Sequence, residues 1–187
     1  MKRLFKLLTT ALLVVSCAAC GNSNSVSGIV NKDVVTPTDG YAEGGIGDTM
    51  RTAWFDFTVN RAELKDSYGS VVPNDGETLL VVNVTLNNTF TEAVPMFDSD
   101  FQAQWGADGD DDYRFPVTFD DPTMIEKGML ESEYELGAGK TATGDLIFSV
   151  PGGQSEYSLS FLEYYAPNEG EENGAEGDMF FVYFSAK

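Results

Sequence analysis

From Asp48 onward, hydrophobic and polar residues alternate. In Ala53-Trp54-Phe55-Asp56-Phe57-Thr58-Val59-Asn60, the residues Ala53, Phe55, Phe57 and Val59 fall on one face, and Asp56, Thr58 and Asn60 on the other. That period of two is what a half-buried strand requires. The run 77–87 repeats it, with Leu80, Val82, Val84 and Leu86 inward and Asn83, Thr85 and Asn87 outward, after the turn signal Pro73-Asn74-Asp75-Gly76. Further runs at 97–105, 113–117, 130–136, 141–150, 157–165 and 179–185 are separated by Gly, Asp and Pro clusters. Short β-rich runs punctuated by turns predict an antiparallel β-sandwich of about 7–9 strands. Phe55, Phe57, Phe148, Phe161, Phe180 and Phe184 sit at alternating strand positions and belong to its core. A single helical turn is predicted over 121–128, with Asp121 as N-cap, Pro122 first in the helix and Gly128 as its stop. The stretch 168–178 reads as an acidic loop.

The N-terminal third is patterned differently. Lys2, Arg3 and Lys6 precede an apolar run from Leu7 to Val15, too short for a finished membrane span and typical of an export signal. Val14-Val15-Ser16-Cys17 has the aliphatic residue at −3 and the small residue at −1 that precede a lipidated cysteine. Cys20 is the alternative, with Gly-Asn-Ser-Asn-Ser behind it. A redox Cys-x-x-Cys would need a thioredoxin-like βαβ context, and a zinc site two further Cys or His ligands. The reading is a signal peptide over 1–16, a lipidated flexible tether over 17–46 and a sandwich over 47–187. About 30 residues of flexible coil reach roughly 30 Å. The implied location is extracytoplasmic, on the membrane through an N-terminal lipid.

Charge narrows the functional classes. With 30 acidic and 11 basic residues, the net charge is −19, a field that repels nucleic acid. There is no histidine, so the commonest general base and zinc ligand are missing.

The segments GDTMRTAWFDFTVNRAEL, GETLLVVNVTLNNTF, PMFDSDFQAQW, TGDLIFSVP and GDMFFVYFSA resemble a family of Gram-positive lipoproteins. Their domain is catalogued as domain of unknown function 4352 and is related to the immunoprotective extracellular antigen fold of mycobacteria. The resemblance spans about 47–187. It implies an immunoglobulin-like, all-β sandwich without established enzymatic activity, and it carries over no catalytic residue.

Three constellations could carry chemistry. Asp108-Gly109-Asp110-Asp111-Asp112 offers hard oxygen ligands, with Asp108, Asp110 and Asp112 as calcium candidates, but it lacks the EF-hand spacing and reads first as a hairpin tip. Carboxylate pairs could serve a hydrolase, although 30 acids make pairs inevitable. Trp54, Tyr164 and Tyr165 are aromatics at outward or strand-end positions that could anchor a protein or glycan of the cell envelope. For Trp54 the competing reading is packing under a loop or against the tether. The expected function is a non-catalytic ligand-binding module that needs no cofactor unless the acidic loop takes Ca²⁺.

Overall fold

The computed structural model describes residues 33–106, 112–166 and 174–187. Within them the strands, in chain order, are β1 (Val34–Val35), β2 (Tyr41–Gly45), β3 (Thr49–Arg51), β4 (Phe55–Lys65), β5 (Glu77–Asn88), β6 (Val94–Phe97), β7 (Phe101–Gln104), β8 (Tyr113–Arg114), β9 (Glu133–Leu136), β10 (Thr141–Pro151), β11 (Glu156–Tyr165) and β12 (Ala175–Ser185). One sheet runs β1-β3-β4-β5-β10, the other β2-β12-β11-β7-β8, and β6-β9 forms a separate ribbon. Among the described residues no helix is long and apolar enough to cross a membrane.

Alternation builds the core. Phe55, Phe57 and Val59 of β4, Leu80, Val82, Val84 and Leu86 of β5 and Leu146, Phe148 and Val150 of β10 meet Phe101 of β7, Leu159 and Phe161 of β11 and Phe180 and Val182 of β12 in one buried layer. Phe57 is fully buried there. Its ring centroid lies 5.5 Å from Phe101 and 6.0 Å from both Phe161 and Phe180, each edge-on, the geometry that the ring quadrupoles favour. The predicted inward set of β5 is buried in full. Leu79 and Val81, on the opposite face, are also buried, because Val71, Ile147 and Met129 cover them in a smaller cluster.

β10 would leave an open edge. Instead the chain at 128–130 runs along it: Asp145 N–H donates to the Gly128 carbonyl at 2.9 Å, and Leu130 N–H to the Asp145 carbonyl at 3.1 Å. A covered edge cannot template pairing with another chain. Gly144 permits the approach, since a Cβ there would lie 2.8 Å from the Leu130 nitrogen.

Four expectations are corrected. The segment assigned to the tether contributes strands from Val34: β1 pairs parallel with β3, and β2 parallel with β12. Backbone hydrogen bonds hold these edge strands, so scattered apolar residues such as Val35 and Ala42 suffice and leave no periodic signal. The run 97–105 is broken at Asp98–Asp100, a 3-10 turn between β6 and β7. The run 113–117 stops after two residues, and Pro116 caps a short helix, α1 (Val117–Asp120). Ala53 is exposed, because Thr52 turns the chain by accepting the Phe55 N–H at its hydroxyl and donating that hydroxyl to the Phe55 carbonyl. The turn expected at 121–128 is present as a 3-10 turn over Pro122–Met124, with the Asp121 carboxylate accepting from Thr123 N–H at 3.0 Å. Gly128 follows at φ +101°, a conformation that suits glycine. Of the acidic loop, 175–178 belong to β12 and 168–173 lie outside the described residues.

Candidate functional site

At the pole where β4 begins and β5 and β11 end, the sandwich opens. Two polar residues shape this pole, and both occupy inward positions of otherwise apolar strands. Asn88 continues the series Leu80, Val82, Val84, Leu86. It is 1% exposed, and it donates to the Glu92 carbonyl at 2.8 Å and the Leu136 carbonyl at 2.6 Å while accepting Phe90 N–H at 2.7 Å. It thereby folds the loop after β5 and ties it to β9. Thr89 and Phe90 N–H in turn donate to the Trp54 carbonyl, at 3.1 and 3.0 Å.

Glu163 continues Tyr157, Leu159, Phe161 and is 2% exposed. A buried carboxylate is costly unless its oxygens are hydrogen-bonded. Here Ala53 N–H donates at 2.7 Å, the Tyr165 hydroxyl at 3.0 Å and Asp178 N–H at 3.4 Å. The register between β11 and β12 shifts at this point, so that Gly177 and Asp178 stand opposite Glu163. Such bulges bend a strand and re-aim its side chains. Gly177 is needed there, because a Cβ would meet Tyr165 at 2.5 Å and Glu163 at 2.8 Å.

Beyond the bulge, Tyr164 and Tyr165 turn outward, 59% and 41% exposed. Trp54 and Tyr165 meet with ring centroids 5.0 Å apart, tilted by 51°. With Phe90, Phe97 and Tyr164 they line an open cleft of about 790 Å³. All three aromatic candidates from the sequence are therefore brought to one site. Trp54 combines both readings, since it packs partly against the core and also faces the cleft. The Tyr165 hydroxyl is held above its ordinary pKa by burial and by the Glu163 carboxylate.

One carboxylate, Asp100, is among the described lining residues. Crowding around its carboxyl pushes its pKa up to about 6, reinforced by the charge of Asp98 and opposed by a hydrogen bond from the Phe97 backbone. Asp98 is itself buried and accepts the Thr118 hydroxyl, and its pKa is raised by burial.

The other candidates do not join the cleft. Cys17, Cys20, Asp108 and Asp110 lie outside the described residues. The Asp112 carbonyl accepts Trp105 N–H at 3.0 Å, and its carboxylate fills the space beside Gly106. Among the described residues no three Asp, Glu or Cys side chains converge as a metal site. Asn88 and Glu163 are the residues that sequence reasoning missed. Their signal was a polar residue in an apolar register.

The family model described as "Domain of unknown function (DUF4352)" matches residues 44–169. The chain belongs to this family. No curated protein matches it. Among solved structures, this DUF4352 chain is similar to ycdA of Bacillus subtilis, described as a candidate lipoprotein, at 18% identity and a TM-score of 0.50. The match covers 72% of this chain and 38% of ycdA, so the chain spans well under half of that protein's length. It is also similar to B. subtilis yjhA, at 24% identity, a TM-score of 0.44 and coverage of 63% and 79%. An uncharacterized β-sandwich protein of Clostridium difficile aligns at 12% identity, a TM-score of 0.41 and coverage of 86% and 99%. At such identities the likeness to ycdA speaks for the fold alone.

Proposed function

We propose that this DUF4352 protein is an extracytoplasmic lipoprotein whose sandwich binds a ligand at the aromatic cleft without chemically transforming it. The observation that carries the binding reading is the convergence of Trp54, Tyr164 and Tyr165 on one open cavity. Exposed aromatic clusters of this kind are unusual on a surface that binds nothing. A cavity of about 790 Å³ falls within the range that small ligands occupy. The anchoring reading is supported by the basic residues Lys2, Arg3 and Lys6, the apolar run behind them and Cys17. One acyl chain holds a protein only marginally, so two or more chains at Cys17, or at Cys20, would supply the anchor. Strand β1 runs parallel to β3, whose continuation leads into Trp54. A chain arriving from an N-terminal anchor therefore runs toward the cleft as it enters the sheet.

A fragment screen read by NMR on the full chain, purified in a maltoside detergent, tests the binding reading. Hits are expected to move the Trp54 indole signal and to lose affinity in Trp54→Ala. Hits confined to other surfaces would overturn the cleft as the site. For the anchor, Cys17→Ala is expected to release the protein from the membrane fraction into the medium. Release only on Cys20→Ala would assign the lipid to Cys20, and retention of the double variant would remove the lipoprotein reading.

A further inference from the structure

We infer that the cleft takes a small organic cation of the alkylammonium class, held against the corner formed by the Trp54 and Tyr165 rings and by the carboxylate of Asp100. The inference rests on the cleft being the binding site and names what that site selects. Two rings with centroids 5.0 Å apart and planes tilted by 51° form a corner rather than a stack, and both line the same cleft. A cation over the face of such a ring is attracted by its quadrupole, most strongly at Trp. A neutral guest gains only the contact area.

The charges point the same way. Among the described residues that line the cleft, Asp100 is acidic and none is basic. The described arginines are engaged elsewhere: Arg51 on Asp56, Arg61 on Asp145 and Glu63, and Arg114 over the ring of Trp105. Behind Tyr165, the buried Glu163 accepts its hydroxyl hydrogen bond. That places a second carboxylate at the hydroxyl end of the ring, where accepting the phenol proton in a hydrogen bond makes the ring more electron-rich. An anionic guest would meet the Asp100 carboxylate and a chain of net charge −19.

Choline and its uncharged carbon analogue, 3,3-dimethylbutan-1-ol, separate charge from shape. Both are titrated into the full chain in a maltoside detergent, with the two indole signals followed by NMR. Trp105, away from the cleft under Arg114, serves as the internal reference. Choline is expected to move Trp54 along a saturating curve while Trp105 stays still, with the alcohol about tenfold weaker. Asp100→Asn is expected to weaken choline by about tenfold and to leave the alcohol unchanged, with an unaltered melting temperature at pH 7 or above it to show that the fold is intact. Equal binding of the two probes would overturn the cation inference and leave the cleft standing as a binding site. No movement of Trp54 with choline, while fragment hits still move it, would overturn the cation inference in the same way. Failure of both experiments at Trp54 would remove the cleft reading as well.

Discussion

Strand β11 carries the same chemistry into two environments. Phe161 is buried within 6.1 Å of Phe55, Phe57, Phe101 and Phe180. Three and four residues later, Tyr164 and Tyr165 stand at the surface with Trp54. Between them lies Glu163, buried and opposite the bulge in β12. Below the bulge the two sheets face each other, and an aromatic ring is packing material. Above it the sheets part, and rings of the same kind line a cavity. The transition is made by one carboxylate and one glycine. What an aromatic does here is decided by the register of its strand partner rather than by its own identity.

That contrast can be broken at its strongest point first. Phe57→Ala empties the centre of the buried layer and is expected to cost about 3–5 kcal/mol by urea denaturation. Trp54→Ala is expected to cost less, about 1–2 kcal/mol, since Trp54 is only partly buried and packs at the margin of the core. Equal losses would mean that Trp54 is core rather than site. Glu163→Ala comes next. It strands the Ala53 and Asp178 N–H groups and is expected to cost about 2–3 kcal/mol, with Tyr165 losing its fixed orientation. A Trp54–Tyr165 contact unaltered in the variant's crystal structure would show that the buried carboxylate does not set the cleft.

The smallest effect sharpens the comparison through pH. The folded Asp100 titrates at about 6, against 3.8 for the ordinary group. Between those values the folded protein keeps a proton that the unfolded chain has released. The stability contributed by this proton is therefore lost as pH rises from about 4 to about 6. Asp98, raised in the same direction, adds to this loss and persists when Asp100 is replaced. Urea midpoints of Asp100→Asn measured across this window should fall less steeply than those of the parent. Parallel curves would show that the Asp100 carboxyl is solvated like any surface acid.

Much of the architecture was legible in the alternation of β4, β5, β10 and β11, because two-sided burial writes itself into side-chain identity. The edge strands β1 and β2 were not legible, since backbone pairing makes almost no demand on side chains. The break at Asp98–Asp100 was hidden by apolar residues on both sides of it. For the site, the three aromatics could be picked out singly, but not their meeting, which spans more than a hundred residues of chain. Asn88 and Glu163 were visible in principle. Each puts hydrogen-bonding capacity where its strand's register calls for a hydrocarbon, and each turns out to organise the pole where the core ends.

The short strands β1 and β2 stitch the incoming chain to one edge of each sheet, both in parallel orientation. Tension applied along the strands from upstream of Asp33 would load these ladders in shear, with their hydrogen bonds sharing the force rather than opening one at a time. The two-residue ladder of β1 would yield before the five-residue ladder of β2. The entry to the domain is thus a graded mechanical fuse, which slips at its outermost pair while the strands that frame the aromatic cleft stay in register.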